Sequence, residues 1–387
     1  MGDNPLKQLE LLGQSIWLDY ISRGMIQSGE LQRLIEEDGV SGVTVNPSIL
    51  DKAISSGREY DGAIRDLAAA GRTPAQIYET LAVQDVQKAA DLFRPIYERH
   101  ENRNGRTPYR DGYVSLEVSP YLAHDSEATM AEARRFWQEL DRPNVMIKVP
   151  ATQEGLLAIR QLTAEGININ ITLLFGLERY RDVIAAYLSG LEDRARQSLP
   201  VDRIDSVASF FLSRIDVLLD PVIAEKEAHS TGEQSAFASR LRGQPAVASA
   251  KVSYQIFLEK FNGVRFQKLA AQGAHLQRLL WASTGTKNPD YSDVKYVEPL
   301  IGAFTINTLP LETLEAFRDH GKAATTIEHA ADDANRTLEN LKGIGIDLLQ
   351  ATQQLEDEGI QKFSQSYDHL MQVLQKIGSQ ARTESTH

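Results

Sequence analysis

Eight short runs rich in β-branched and other apolar residues recur along the chain, and long amphipathic stretches separate them. The runs are Ser15–Tyr20, Gly42–Asn46, Tyr113–Val118, Val145–Val149, Ile167–Leu174, Val207–Phe211, Arg278–Ala282 and Ala303–Asn307. Helical patterns lie between them, among them Ile77–Glu98, Ser126–Leu140, Glu154–Ala164 and Leu177–Arg196. Strands that alternate with helices pair in parallel, because each helix returns the chain to the start of the next strand. Eight such units suit a closed α/β fold, the (β/α)8 TIM barrel. An open doubly wound sheet is the runner-up. No Gly-x-Gly-x-x-Gly follows a strand, which weakens the dinucleotide-binding form of that alternative.

A single barrel domain over residues 1–387 is expected, because no Pro/Gly/Ser-rich linker is long enough to isolate a second unit. It is predicted to carry an N-terminal helix over about residues 4–13 and a helical C-terminal extension over about 310–377. Helical patterns in that extension centre on Leu311–His320, Thr326–Leu341, Ile344–Glu358 and Ile360–Ile377. Ala224–Pro245 is polar and rich in small residues, and reads as a mobile insertion.

Composition excludes several classes. With 42% hydrophobic and 24% charged residues the chain is globular rather than disordered. There is no cysteine, so disulfides, thiolate metal sites and cysteine nucleophiles are ruled out. No apolar run approaches the roughly 20 residues of a membrane helix, and no basic-then-apolar leader is visible, so the cytoplasm is expected. A formal charge of −12 argues against general nucleic-acid binding, and it requires any anionic substrate to find a local cationic pocket. The eight histidines show no metal-ligand spacing, so neither a metal nor another cofactor is expected. Composition leaves monomer or homodimer open.

Chemistry in such a barrel gathers at the C-terminal ends of the strands, and there the chain places polar residues one after another. The fourth run, Val145-Met-Ile-Lys-Val149, contains Lys148. Burial disfavours an ammonium ion, and a partly neutral amine is a nucleophile towards carbonyls. The first run presents Asp19, the second Thr44 and Asn46, and the third Ser115 and Glu117. The fifth presents Asn168, Asn170 and Thr172 in alternation, which places all three on one face. The sixth presents Ser209 and Phe211 and leads on to Arg214, and after the seventh comes Ser283-Thr-Gly-Thr-Lys287. A serine, an arginine fork and a glycine-containing loop with a lysine make a phosphate pocket.

Each residue alone has an ordinary structural reading. A strand lysine snorkels or pairs, Asp19 caps, Asn46-Pro47 turns the chain, and Arg214 forms a surface ion pair. Five consecutive strand ends with residues that the same chemistry uses outweigh those readings.

Together the residues resemble the transaldolase family, of the longer bacterial type. The matching motifs are Trp17-Leu-Asp19, Gly42-Val-Thr-Val-Asn-Pro-Ser48, Val114-Ser-Leu-Glu-Val-Ser119, Met146-Ile-Lys-Val-Pro-Ala-Thr152, Asn168-Ile-Asn-Ile-Thr172 and Ser209-Phe-Phe-Leu-Ser-Arg214, in order over roughly residues 15–310. The resemblance implies a (β/α)8 barrel that moves a dihydroxyacetone unit between sugar phosphates through a Schiff base. It implies that Lys148 forms the imine and that Glu117 acts through a water, which Thr172 helps to position. Asp19 would take the proton of the C4 hydroxyl. Asn46 and Asn170 would hold substrate hydroxyls, Phe211 would match the family's active-site phenylalanine, and Ser209 and Arg214 would bind phosphate. Many members carry a second phosphate-binding arginine after the seventh strand; this chain has Lys287 in that segment instead. Two alternatives remain: a related aldolase that releases free dihydroxyacetone, and a non-catalytic sugar-phosphate-binding barrel.

Overall fold

All eight predicted runs form strands in the computed structural model, which describes residues 4–101 and 109–384. They are β1 (Gln14–Leu18), β2 (Val40–Thr44), β3 (Tyr113–Glu117), β4 (Val145–Pro150), β5 (Ile169–Leu174), β6 (Ser206–Phe211), β7 (Gln277–Ala282) and β8 (Thr305–Leu309). Each pairs in parallel with the next, and β8 returns to β1, so the sheet is a closed barrel and not an open one.

Alternation along β4 shows how the sequence sorts its two faces. Val145, Ile147 and Val149 are buried together, as expected for the side facing the helical shell. Fully burying such a side chain contributes roughly 1.5–3 kcal/mol. Met146 and Lys148 take the opposite, inward side. Register then fixes the layer in which Lys148 sits: it is aligned with Glu117 on β3 and Asn170 on β5.

The N-terminal end of the barrel is closed by a polar network that does no chemistry in the sequence reading. Asp111, just before β3, accepts from Ser15 Oγ, from Trp17 Nε1 at 2.8 Å and from Ser41 Oγ at 3.1 Å. Arg278 on β7 lies 3.5 Å from the same carboxylate and donates to Thr305 O at 2.7 Å, with Tyr109 stacked 4.1 Å from its guanidinium. The network ties β1, β2, β7 and β8 together.

The N-terminal helix spans Pro5–Leu11, capped by Asn4. Helix Leu311–His320 follows β8 as predicted, and helix Ala331–Gly343 begins later than the pattern suggested. The last two helical patterns fuse into one helix, Leu348–Glu384, with Gly359 inside it. That long helix packs on the helices Pro47–Ser56, Asp61–Ala69 and Pro74–Glu101, and it also reaches β5. Segment 224–245 is not an open loop: helix Ser213–Ala228 runs into it, helix Glu233–Ser239 follows, and Ala238 and Leu241 are buried. No helix among the described residues is long and apolar enough to cross a membrane.

Candidate active site

Lys148 Nζ lies 3.0 Å from Glu117 Oε2, and the two side chains are 4% and 2% exposed. The contact is an ion pair rather than an aligned hydrogen bond. Nζ also donates to Val45 O at 3.4 Å, while Glu117 Oε2 is buried with no donor beyond the Lys148 ammonium among the described residues. A buried carboxylate oxygen left in that state is suited to a small polar partner.

A cavity of about 70 Å³ opens beside this pair, lined among others by Asp19, Asn46, Lys148, Ser209, Phe211 and Arg214. Six of the ten predicted site residues therefore line one cavity. A larger cavity of about 400 Å³ lies at the opposite end of the barrel, around Gln14, Ser15, Ser41 and Asp111. Size favours the second cavity, but the first holds the lysine, the carboxylates and the arginine, and it sits where strand ends converge.

Asp19 follows β1 and accepts from Thr44 Oγ1 at 2.7 Å; Thr44 in turn bonds Thr308 Oγ1 at 2.8 Å. Asn46 serves two ends at once. Its Oδ1 caps helix Pro47–Ser56 by accepting from Ile49 N at 2.9 Å, and its side chain still lines the cavity. The turn reading of Asn46-Pro47 holds, and the same side chain is left facing the cavity. Asn170 donates to Ser115 Oγ at 3.0 Å and accepts from Ser209 Oγ at 2.7 Å, which fixes its amide orientation. Asn168 stands apart from them along the strand: it sits just before β5, where it donates to Val145 O and accepts from Asp205 N. Its role is to fasten strand beginnings, because register places it at the closed end.

Thr172 is buried with no hydrogen-bond partner for Oγ1 among the described residues. The next residue, Leu173, has a φ of +54°, and the β5–β6 register shifts there. A bulge of this kind re-aims neighbouring side chains, and no composition signal marks it. Lys287 is exposed and does not line the cavity, though its charge acts on Asp19. Ser283, with a φ of +55°, lines the cavity instead and shares a 2.9 Å contact with Ser213 Oγ. Thr308 and Phe363 also line it and were not singled out from sequence. Thr308 falls one residue past the predicted end of the eighth strand, and Phe363 sits on an apolar helix stripe that reads as core.

Burial raises the Asp19 carboxyl above its ordinary range, against the opposing pull of Lys148, the Thr44 hydrogen bond and Arg214. Burial also raises Glu117, with Lys148 again opposing. Arg214 is lowered by burial, against Asp19, Glu117 and Glu358. These shifts give a pH signature. The folded chain holds the Asp19 proton more tightly than the unfolded chain, so stability falls as pH rises from the usual carboxylate range through the raised pKa. An asparagine has no such proton to lose. Asp19→Asn is expected to melt with wild type near about pH 4 and above it near about pH 8. Differential scanning calorimetry at both pH values checks this; a variant that melts lower at the alkaline value contradicts it.

A family model described as transaldolase/fructose-6-phosphate aldolase matches residues 16–374. The chain belongs to this family. Among relatives of the transaldolase/fructose-6-phosphate aldolase family, it is similar to Transaldolase 2 of Nostoc sp. (strain PCC 7120), 45% identical over 97% of this chain and 98% of that protein. It is also similar to the transaldolase of Thiobacillus denitrificans, 46% identical over 95% and 99% of the two chains. The transaldolase of Mycolicibacterium smegmatis is 44% identical over 97% and 98%.

Proposed function

We propose that this chain is a transaldolase that transfers a dihydroxyacetone unit between sugar phosphates through an imine on Lys148. Sedoheptulose 7-phosphate and glyceraldehyde 3-phosphate would interconvert with erythrose 4-phosphate and fructose 6-phosphate, in the cytoplasm. The observation that carries the assignment of the nucleophile is the buried Lys148–Glu117 pair, 3.0 Å apart, beside a cavity that also holds Asp19 and Arg214.

The residues divide the chemistry as follows. Lys148 Nζ attacks the donor's C2 carbonyl and forms a carbinolamine. Glu117, through a water near Thr172, moves the proton that lets hydroxide depart as water. The imine draws electrons from the C3–C4 bond. Asp19 takes the C4 hydroxyl proton as that bond breaks, and the aldehyde product leaves. The three-carbon enamine stays on Lys148, its hydroxyls held by Asn46 and Asn170, until an acceptor aldehyde reverses the steps. Ser209 and Arg214 hold the phosphate, with Phe211 walling that end, and Lys287 adds positive charge near the mouth.

Treatment with fructose 6-phosphate and borohydride is expected to inactivate the protein irreversibly. Mass spectrometry should find a reduced dihydroxyacetone unit on the peptide that contains Lys148. An adduct on another lysine would remove Lys148 from its role, and no adduct would favour a non-catalytic barrel. The second reading, release of free dihydroxyacetone, is disfavoured by Glu117 and Phe211, where aldolases of that type tend to hold glutamine and tyrosine. Comparison of free dihydroxyacetone with transfer to erythrose 4-phosphate separates the two.

A further inference from the structure

We propose that Phe363, on the helix Leu348–Glu384, is a positioning residue that sets how strongly the site prefers phosphorylated over unphosphorylated acceptors. The inference rests on the transaldolase reading above.

Arg214 lacks an ordinary anchor. Its Nη1 is buried with no hydrogen-bond partner, and no ion pair holds its guanidinium among the described residues. Two rings flank it instead: Phe211 at 5.5 Å and Phe363 at 5.6 Å from the guanidinium carbon. Guanidinium groups stack on aromatic faces and keep their in-plane donors free. Phe211 is itself backed by Phe175, with ring centroids 5.2 Å apart. Phe363 is the second ring against the guanidinium, and it comes from outside the barrel's strand–loop framework.

The helix is fitted to that task. A Cβ on Gly359, one turn before Phe363, would lie 2.8 Å from Leu173 Cδ2 and 3.4 Å from Arg214 Nη1. Glycine there lets the helix backbone approach both the β5 bulge and the arginine. Further contacts on the same helix fix its position across the loops: Glu356 lies 3.5 Å from Arg179, Ser366 bonds Ser48 at 2.7 Å, and His369 bonds Asp51 at 2.8 Å. Phe363 itself is 2% exposed. A phosphate takes two parallel hydrogen bonds from an arginine only when the fork faces it. Removing one ring frees the fork to rotate and leaves the lysine chemistry in place.

The test compares wild type with Phe363→Leu, Phe363→Met and Phe363→Tyr. For each, kcat/KM is measured for erythrose 4-phosphate and for unphosphorylated erythrose, with fructose 6-phosphate as donor. In a ping-pong reaction these values do not depend on the donor. The preference for the phosphorylated acceptor is expected to fall about tenfold in the leucine and methionine variants, and the inhibition constant of inorganic phosphate to rise by about the same factor. Tyrosine should restore most of the preference. Only variants that melt cooperatively are scored, and methionine decides the matter where leucine does not fold. Equal loss towards both acceptors, or an unchanged ratio, overturns the positioning role. A wild-type chain that transfers nothing and forms no borohydride adduct overturns the transaldolase reading itself.

Discussion

Lys148→Met is expected to lower transfer by at least about four orders of magnitude, the scale typical of a lost nucleophile. Methionine fills a similar volume without an amine. Its neighbours then report on the pair as well as on the reaction. The Lys148 charge is the main influence that opposes burial at Glu117. With it gone, the Glu117 carboxyl should keep its proton to still higher pH, and a buried anion is avoided by protonation. The variant should therefore remain folded at neutral pH and lose stability on the alkaline side, where Glu117 must ionise without a partner. Stopped assays of sugar-phosphate transfer and pH-resolved melting check the two halves. Retention of even a tenth of wild-type turnover would remove the imine from the mechanism.

The other large effect lies at the opposite end of the barrel. Asp111→Ala is expected to destabilise the fold by about 3–5 kcal/mol, the usual result of removing one partner from a buried charge pair. The carboxylate gathers Ser15, Trp17, Ser41 and Arg278, and Arg278 is 2% exposed. Its loss leaves a buried guanidinium with Nε already lacking a hydrogen-bond partner. Adding Arg278→Met to the first substitution should recover part of the deficit, because the uncompensated charge goes with it. Urea unfolding measures both, and an unchanged m-value would show that stability rather than the denatured state has moved. A single-variant loss below about 1 kcal/mol would mean that the network is peripheral.

The two ends of the barrel differ in how far they could be read beforehand. The strands and their order were legible because short apolar, β-branched runs recur at helix-sized intervals, and because parallel closure follows from the alternation of strand and helix. Glu117, Lys148 and Asn170 were legible as a group for the same reason: each is an inward polar residue near a strand end. Asp111 and Arg278 were not. One precedes a strand beside Gly112, the other is the second residue of β7, and nothing local in the sequence tells that they meet across the barrel. Thr308 was missed through a one-residue boundary error, the common fault of reading strand ends. The bulge at Leu173 depends on backbone geometry that a leucine does not advertise. Gly359 falls between two helical patterns in the sequence, although in the structure it lies within one helix and allows a close approach. Long-range placement, rather than residue type, is what the sequence withheld.

The position of Phe363 has a consequence for the order in which the molecule is made. It follows all eight strands along the chain. Protein segments begin to fold as they emerge during synthesis, N-terminal portions first. Lys148, Glu117, Asp19 and Arg214 all leave the ribosome before the ring that walls the phosphate end. On the proposed function, the residues of the reactive centre thus emerge ahead of the ring proposed to set selectivity, and the grip on phosphorylated sugars would be complete only once the long helix has docked.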